Sequence, residues 1–217
     1  MAKLDFENND ILLPDLINIV KTAIENDAVN DFNDYVNLDD ALQRNIYLAG
    51  EITENTGIYV ASIVRFWNRW DDEHDILVEN RKPIKIFINT NGGDLFSTFT
   101  MIDAIAMSKT PVWTINEGKA WSGGFFTFIA GHKRFAYPHS SFLYHEGGTG
   151  NEGTASQFEN YAIFYKKQIK FLEDITLKYT KITKEQYREI HKDDYWMTAT
   201  EALNDGVCDE IVEEPVV

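Results

Sequence analysis

Ser122 stands in the stretch Glu117-Gly118-Lys119-Ala120-Trp121-Ser122-Gly123-Gly124-Phe125-Phe126. A β-branched and aromatic run, Val112 to Asn116, precedes the stretch, and an apolar run from Phe125 to Ala130 continues it. The first run predicts a buried strand and the second a helix. A serine at such a junction sits near a helix N-terminus, where unpaired N–H groups and the dipole favour developing negative charge. The two glycines after it let backbone or substrate come close. A second strand-to-helix junction, Asn89-Thr90-Asn91-Gly92-Gly93-Asp94, follows the strand Ile84 to Ile88. Successive β-α units set such junctions side by side at the carboxyl edge of a parallel sheet. The amides of Gly93 and Gly123 can then face one point, the shape of an oxyanion hole. The local pattern also admits a second reading, an N-cap serine followed by a glycine packing device. A nucleotide site fits poorly, since neither G-x-G-x-x-G nor a Walker lysine-serine pair is present.

A serine nucleophile needs a base, and five histidines are available: His74, His132, His139, His145 and His191. His74 lies in an acidic turn, and His132 and His139 flank expected turns. His145 ends the short apolar strand Phe142-Leu143-Tyr144 directly before the glycine-rich loop Gly147 to Gly153, a position from which functional side chains project. In isolation its position fits a structural role equally well. A carboxylate must orient such an imidazole, and Asp193 and Asp194 precede the aromatic run Tyr195-Trp196-Met197. They also read as an acidic turn ending a helix. No H-E-x-x-H occurs and there is one cysteine, Cys208, so metal chemistry is a poor fit.

The elements that must position these residues read as an α/β alternation from Asn45 onward. Strands are expected at Ile46–Ala49, Ile84–Ile88, Val112–Asn116 and Phe142–Tyr144. A helix over Ile58–Trp70 carries Tyr59, Ile63, Phe66 and Trp70 on one face. A second covers Leu95–Met107. A long one runs from Ala155 to Tyr179, with Thr154 and Gln157 as a capping box and Phe158, Tyr161, Tyr165, Ile169, Leu172 and Ile175 on its buried face. A segment over Ala199–Asp205 and a run over Val207–Ile211 close the chain. Strands separated by helices of this length pair in parallel through right-handed crossovers. Residues 1–44 differ: Leu13, Leu16, Ile17, Val20 and Ile24 mark a short amphipathic helix, and an Asn- and Asp-rich arm follows to Asp40. The domain division is therefore an N-terminal extension, 1–44, and a body, 45–217.

A net charge of −15 argues against binding phosphate backbones. No apolar run is long enough to span a membrane, the first residues lack a signal-peptide pattern, and the single cysteine fits a reducing cytoplasm. No nucleic-acid or membrane partner and no cofactor is expected.

Taken together, the blocks resemble the proteolytic subunit of the Clp protease, a serine peptidase family of the ClpP/crotonase fold. Asn89-Thr90-Asn91-Gly92-Gly93 resembles its N-S-P-G-G oxyanion turn, and Gly118-Lys119-Ala120-Trp121-Ser122-Gly123-Gly124 its G-x-A-A-S-M-G nucleophile motif. Arg134-Phe135-Ala136-Tyr137-Pro138-His139-Ser140, running to His145, is similar to R-F-x-L-P-N-S-x-x-M-I-H. Asp194-Tyr195-Trp196-Met197-Thr198-Ala199-Thr200-Glu201-Ala202 is similar to D-x-F-x-S-A-x-E-A. The resemblance covers roughly residues 45–212, with these blocks in the family's order. The resemblance implies repeated β-β-α units with a protruding helix-and-strand handle, here with an extra N-terminal helical extension. It implies Ser122 as nucleophile, His145 as general base and acid, Asp194 as orienting carboxylate, and Gly93 and Gly123 as oxyanion donors. It further implies peptide or unfolded-protein substrates, a homo-oligomer of stacked rings enclosing the sites, and an AAA+ unfoldase as a candidate partner.

The departures are specific. Trp121 replaces a small residue and is expected to narrow the pocket or shift substrate preference. Gly123 replaces methionine, as in the lysine-dependent signal peptide peptidase A branch of the fold. Glu146-Gly147 stands where the family has Gln-Pro. The N-terminal residues do not resemble the family's axial-pore segment. On β alternation, Lys85 shares a face with Phe87 and replaces an apolar wall of the unfoldase-docking pocket, which argues against docking. Two alternatives follow from these departures. One is a catalytically silent or specialised ring subunit or viral maturation protease. The other is a crotonase-like acyl-CoA enzyme, which the complete Ser/His/Asp set argues against.

Overall fold

The computed structural model describes residues 39–150, 152–214 and 216. The body begins at Arg44, and residues 39–43 belong to a separate unit. The expected helix over Leu13–Ile24 lies outside the described residues, as does all but the end of the acidic arm.

In chain order the elements are β1 (Asn45–Ile52), α1 (Glu54–Glu73), a 3₁₀ turn (Val78–Asn80), β2 (Ile84–Gly93), α2 (Leu95–Ala106), β3 (Val112–Trp121) and α3 (Gly123–Ile129). Then come β4 (Lys133–Ala136), β5 (Ser141–Tyr144), α4 (Ala155–Tyr179), α5 (Lys184–Ile190), β6 (Tyr195–Thr198), α6 (Ala199–Asn204) and β7 (Glu210–Ile211). The fold is mixed α/β around a parallel sheet ordered β1-β2-β3-β4-β7. The long strand β3 serves two neighbours on one side. Trp113 to Asn116 pair with β4, and Lys119 to Trp121 pair with β5. Asn116, fully buried, bridges the break: its amide donates to Ser141 O at 2.9 Å and its side-chain oxygen accepts from Gly118 N at 3.1 Å. β6 then adds antiparallel to β5, an arrangement the strand-helix alternation did not predict.

β2 is buried on both sides, as a central parallel strand should be. Ile84, Ile86 and Ile88 are inaccessible, and Phe87 packs with Ile115, Phe135 and Val212. Lys85 is itself only 5 % exposed. In the single chain it therefore does not stand open as a pocket wall.

Two helix faces differ from their sequence reading. α1 buries Gly57, Val60, Ala61, Val64, Trp67 and Asp71, while Tyr59 and Phe66 are exposed. Close packing selected the small residues over the large ones: a Cβ on Gly57 would lie 2.7 Å from Ser97 Cβ on α2. In α4 the capping box of Thr154 and Gln157 forms as expected, but the buried residues are Gln168, Leu172 and Thr176. Phe158 is exposed and Tyr161, Tyr165, Ile169 and Ile175 are half-buried. Only the later turns of this helix lie deep against the body, so a continuous apolar stripe overstates its burial.

One buried ion pair ties three elements together. The Arg44 guanidinium donates to both carboxylate oxygens of Asp71, at 2.8 and 2.5 Å, and to Lys82 O at 2.9 Å. Thr110 Oγ1 donates to the same carboxylate at 2.7 Å, and the guanidinium lies 4.3 Å from the centre of the Trp67 ring. Removing one partner leaves an uncompensated buried charge. Asp71→Ala is expected to lower unfolding free energy by about 3–5 kcal/mol, read from urea denaturation of the purified chain. A loss under about 1 kcal/mol would show that the pair does not hold these elements together.

Candidate active site

β3 runs straight into α3, and the turn between them has one residue to make the change of direction. That residue is Ser122, at φ 53 and ψ −121. A non-glycine residue in this region is strained and persists where the surroundings over-determine it. The surroundings do so here: Ser122 N donates to Leu143 O at 2.9 Å, and Ser122 O accepts from Phe125 N at 2.9 Å. Although Ser122 is the N-cap of α3, its hydroxyl makes no capping bond, which leaves the oxygen free for chemistry.

The second junction is packed against the first. Gly92 has φ 92, and a Cβ there would lie 2.7 Å from Ser122 Cβ, from Gly123 N and from Trp121 O. A Cβ on Gly93 would lie 2.1 Å from Ile52 O, and one on Gly123 would lie 3.5 Å from Gly93 N. Glycine at these positions lets the two turns meet backbone to backbone, with the amides of Gly93 and Gly123 close together. The Gly123 amide, in the first turn of α3, has no acceptor within its own helix. Asp94 closes the second turn by capping α2, accepting from Ser97 N at 2.7 Å.

His145 follows β5, and Asp194 precedes β6. The antiparallel register pairs Tyr144 with Tyr195, so His145 and Asp194 are the next residues in line. His145 Nδ1 lies 3.6 Å from Asp194 Oδ1, just beyond hydrogen-bond range. That contact leaves Nε2 to face elsewhere. Among the described residues Asp193 makes a backbone bond, to Ile190 O, and no side-chain bond. The other histidines have local partners: His74 Nδ1 meets Trp70 O at 2.7 Å, His132 Nδ1 accepts from Val112 N at 3.0 Å, and His191 Nδ1 meets Tyr187 O at 3.1 Å. His139 is exposed.

Ser122, His145, Gly93 and Gly123 line one pocket of about 400 Å3, together with Asn91 and Asp94. Asp194 stands behind His145 and does not line it. Trp121 does not line it either. The expected narrowing is absent because Trp121 is engaged away from the pocket, edge-on to Trp196 at 5.0 Å and donating from Nε1 to Ser141 Oγ at 3.1 Å. The far wall comes from α2 and α4: Phe96, Tyr161, Phe164 and Tyr165. Tyr161 OH meets Thr149 Oγ1 at 2.7 Å, and Tyr165 OH donates to Glu146 O at 3.4 Å, so α4 holds the loop after His145. Burial pushes the Tyr165 phenol up, and the nearby Tyr161 and Glu146 add to the effect. Sequence reasoning missed this wall. Its signal was the aromatic stripe of α4, read as core.

The model for the Clp protease family matches residues 35–215. The chain belongs to the Clp protease family. Among Clp relatives, the proteolytic subunit 2 of the ATP-dependent Clp protease from Borreliella burgdorferi is 30% identical over 178 residues, 78% of this chain and 83% of that protein. The proteolytic subunit from Porphyromonas gingivalis is 31% identical, over 80% of this chain and 75% of the relative. A ClpP1 mutant from Listeria monocytogenes superposes with a TM-score of 0.70 at 23% identity, covering 82% of this chain and 96% of that one. The ClpP fold therefore extends over most of the chain.

Gly92→Ala puts a methyl group into the contact with Ser122, whereas Gly50→Ala meets only the cost of φ 78, with nothing within 4 Å. Gly50→Ala should lose about 1–2 kcal/mol in unfolding free energy, and Gly92→Ala clearly more. Equal losses in denaturant titrations of the two variants would show that the turns can part without cost.

Proposed function

We propose that the chain is a serine endopeptidase, the proteolytic subunit of a Clp-type protease, acting through Ser122, His145 and Asp194. The observation that carries this reading is one pocket lined by a strained serine with an unbonded hydroxyl, a histidine, and the two glycine turns, in a member of a protease family. His145 Nε2 takes the proton as Ser122 Oγ attacks the peptide carbonyl carbon, and the carbonyl oxygen becomes an anion held by the Gly93 and Gly123 amides. Collapse breaks the C–N bond, and the leaving amine takes the proton from His145. Water, deprotonated by the same imidazole, then hydrolyses the acyl-serine and restores the hydroxyl. Asp194 fixes the imidazole tautomer and stabilises the imidazolium. Its 3.6 Å contact is long for a hydrogen bond, as is common before substrate binds.

The relatives bear the names of subunits of an ATP-dependent protease. By that kinship the chain works as a homo-oligomeric ring in the cytoplasm, degrading peptides and unfolded proteins inside an enclosed chamber, with an AAA+ unfoldase as a candidate partner. Among the described residues no helix is long and apolar enough to cross a membrane.

A serine-reactive phosphonate should add its mass once per chain, at Ser122 on peptide mapping. Ser122→Ala and His145→Ala should both abolish the adduct while the protein stays folded. Labelling at another residue, or none in folded protein, sinks the reading. A companion pair tests the carboxylate: Asp194→Asn should lower peptide turnover by about 10³-fold or more, and Asp193→Asn only slightly. The opposite ranking would reassign the orienting residue.

A further inference from the structure

The pocket holds more than the reacting groups. Its lining includes two acidic residues, Asp94 and Glu146, and among the described residues neither lysine nor arginine. Asp94 is committed to capping α2 through Oδ1, which accepts from both Ser97 N and Ser97 Oγ at 2.7 Å. Glu146 has no such duty. Its backbone oxygen accepts from Tyr165, but among the described residues its carboxylate has no ion pair. The cation on the neighbouring face of α4, Lys170, is already held by Glu173 and Asp174, at 2.9 Å each. Around Glu146 the wall is aromatic: Phe96 and Phe164 stack with ring centres 6.3 Å apart, and Tyr161 and Tyr165 stack at the same distance.

A pocket of this composition discriminates among side chains on the acyl side of the scissile bond. Glu146 is exposed and keeps its water, so an aliphatic or aromatic side chain would fill the apolar part and gain nothing from the carboxylate. A side chain with a long apolar stem and a cationic head satisfies both parts. The stem lies on the aromatic faces, and the head reaches the carboxylate while passing over a ring. The net charge of −15 adds a field that favours cationic substrates on approach.

We infer that Glu146 is a specificity-determining residue that directs this pocket towards peptides with lysine or arginine next to the scissile carbonyl. The inference rests on the peptidase reading above.

The test is a set of peptidyl aminocoumarins, identical except for Lys, Arg, Leu, Phe or Glu before the scissile bond, hydrolysed by the full-length protein. Lys and Arg should exceed Leu in kcat/KM by about five-fold, the scale of a partly exposed ion pair, and Glu should be slowest. The Lys-to-Leu ratio should fall with added salt. Glu146→Gln should bring it close to one, and Glu146→Lys should place the Glu substrate ahead of Lys. Hydrolysis led by Leu or Phe in the native protein overturns the specificity and leaves the peptidase intact. A ratio unmoved in both variants overturns the assignment to Glu146. If no member of the set is cleaved and Ser122 takes no phosphonate, the peptidase reading falls and the inference falls with it.

Discussion

The close approach of Gly92 to Ser122 is the contact on which the site depends. Two parallel strands 4.7–4.9 Å apart each turn into a helix at the same edge of the sheet, and the turns compete for one space. Glycine at 92, 93 and 123 removes the side chains that would hold them apart, and Gly124 does the same where α3 crosses β2, since a Cβ there would lie 2.4 Å from Thr90 Cγ2. Thr90 secures the crossing from the other side, donating to Gly50 O and accepting from Gly92 N. The close approach of the two amides is thus a product of backbone packing in the sheet.

The histidine and carboxylate come from a different device. β3 changes partner midway, from β4 to β5, and Asn116 carries the hydrogen bonds across the change. That switch brings the end of β5 beside Ser122, whose amide bonds to Leu143 O. β6 then adds antiparallel and sets Asp194 opposite His145. Beneath them the Tyr144 hydroxyl donates to Tyr187 OH at 2.7 Å in the core, and burial pushes the Tyr144 phenol far above its ordinary range. A neutral, hydrogen-bonded pair of phenols anchors the strand end from which His145 projects.

Much of this was legible from residue order. Local chemistry marked the strands that precede Gly92-Gly93 and Ser122, the Thr154–Gln157 cap, and the parallel pairing. The four blocks brought Ser122, His145 and Asp194 forward as a set. What was hidden depends on tertiary packing. The buried face of α1 was misread because Gly57 and Ala61, with no bulk of their own, allow the close helix crossing that turns Tyr59 and Phe66 outward. β4 and β6 do not declare themselves as strands although β5, equally four residues long, does: β4 opens on Lys133-Arg134 and lacks the apolar run of β5, and β6 reads as an aromatic run after Asp194. The aromatic wall of α4 looked like core because hydrophobicity does not distinguish a side chain facing the protein interior from one facing a cavity. Trp121 was expected in the pocket on sequence adjacency to Ser122, yet the chain turns at Ser122, and Trp121 packs against Trp196 instead.

At residue 122 the demands of the backbone and of the chemistry diverge. The conformation at φ 53 and ψ −121 suits glycine, and holding a side chain there costs about 1–3 kcal/mol. Replacing the serine with glycine would relax the turn and remove its hydroxyl. Under mutational drift the inert form of this chain is therefore the thermodynamically favoured one. On the peptidase reading proposed above, a copy released from the need to react would gain stability by losing this hydroxyl, with little change to the rest of the fold.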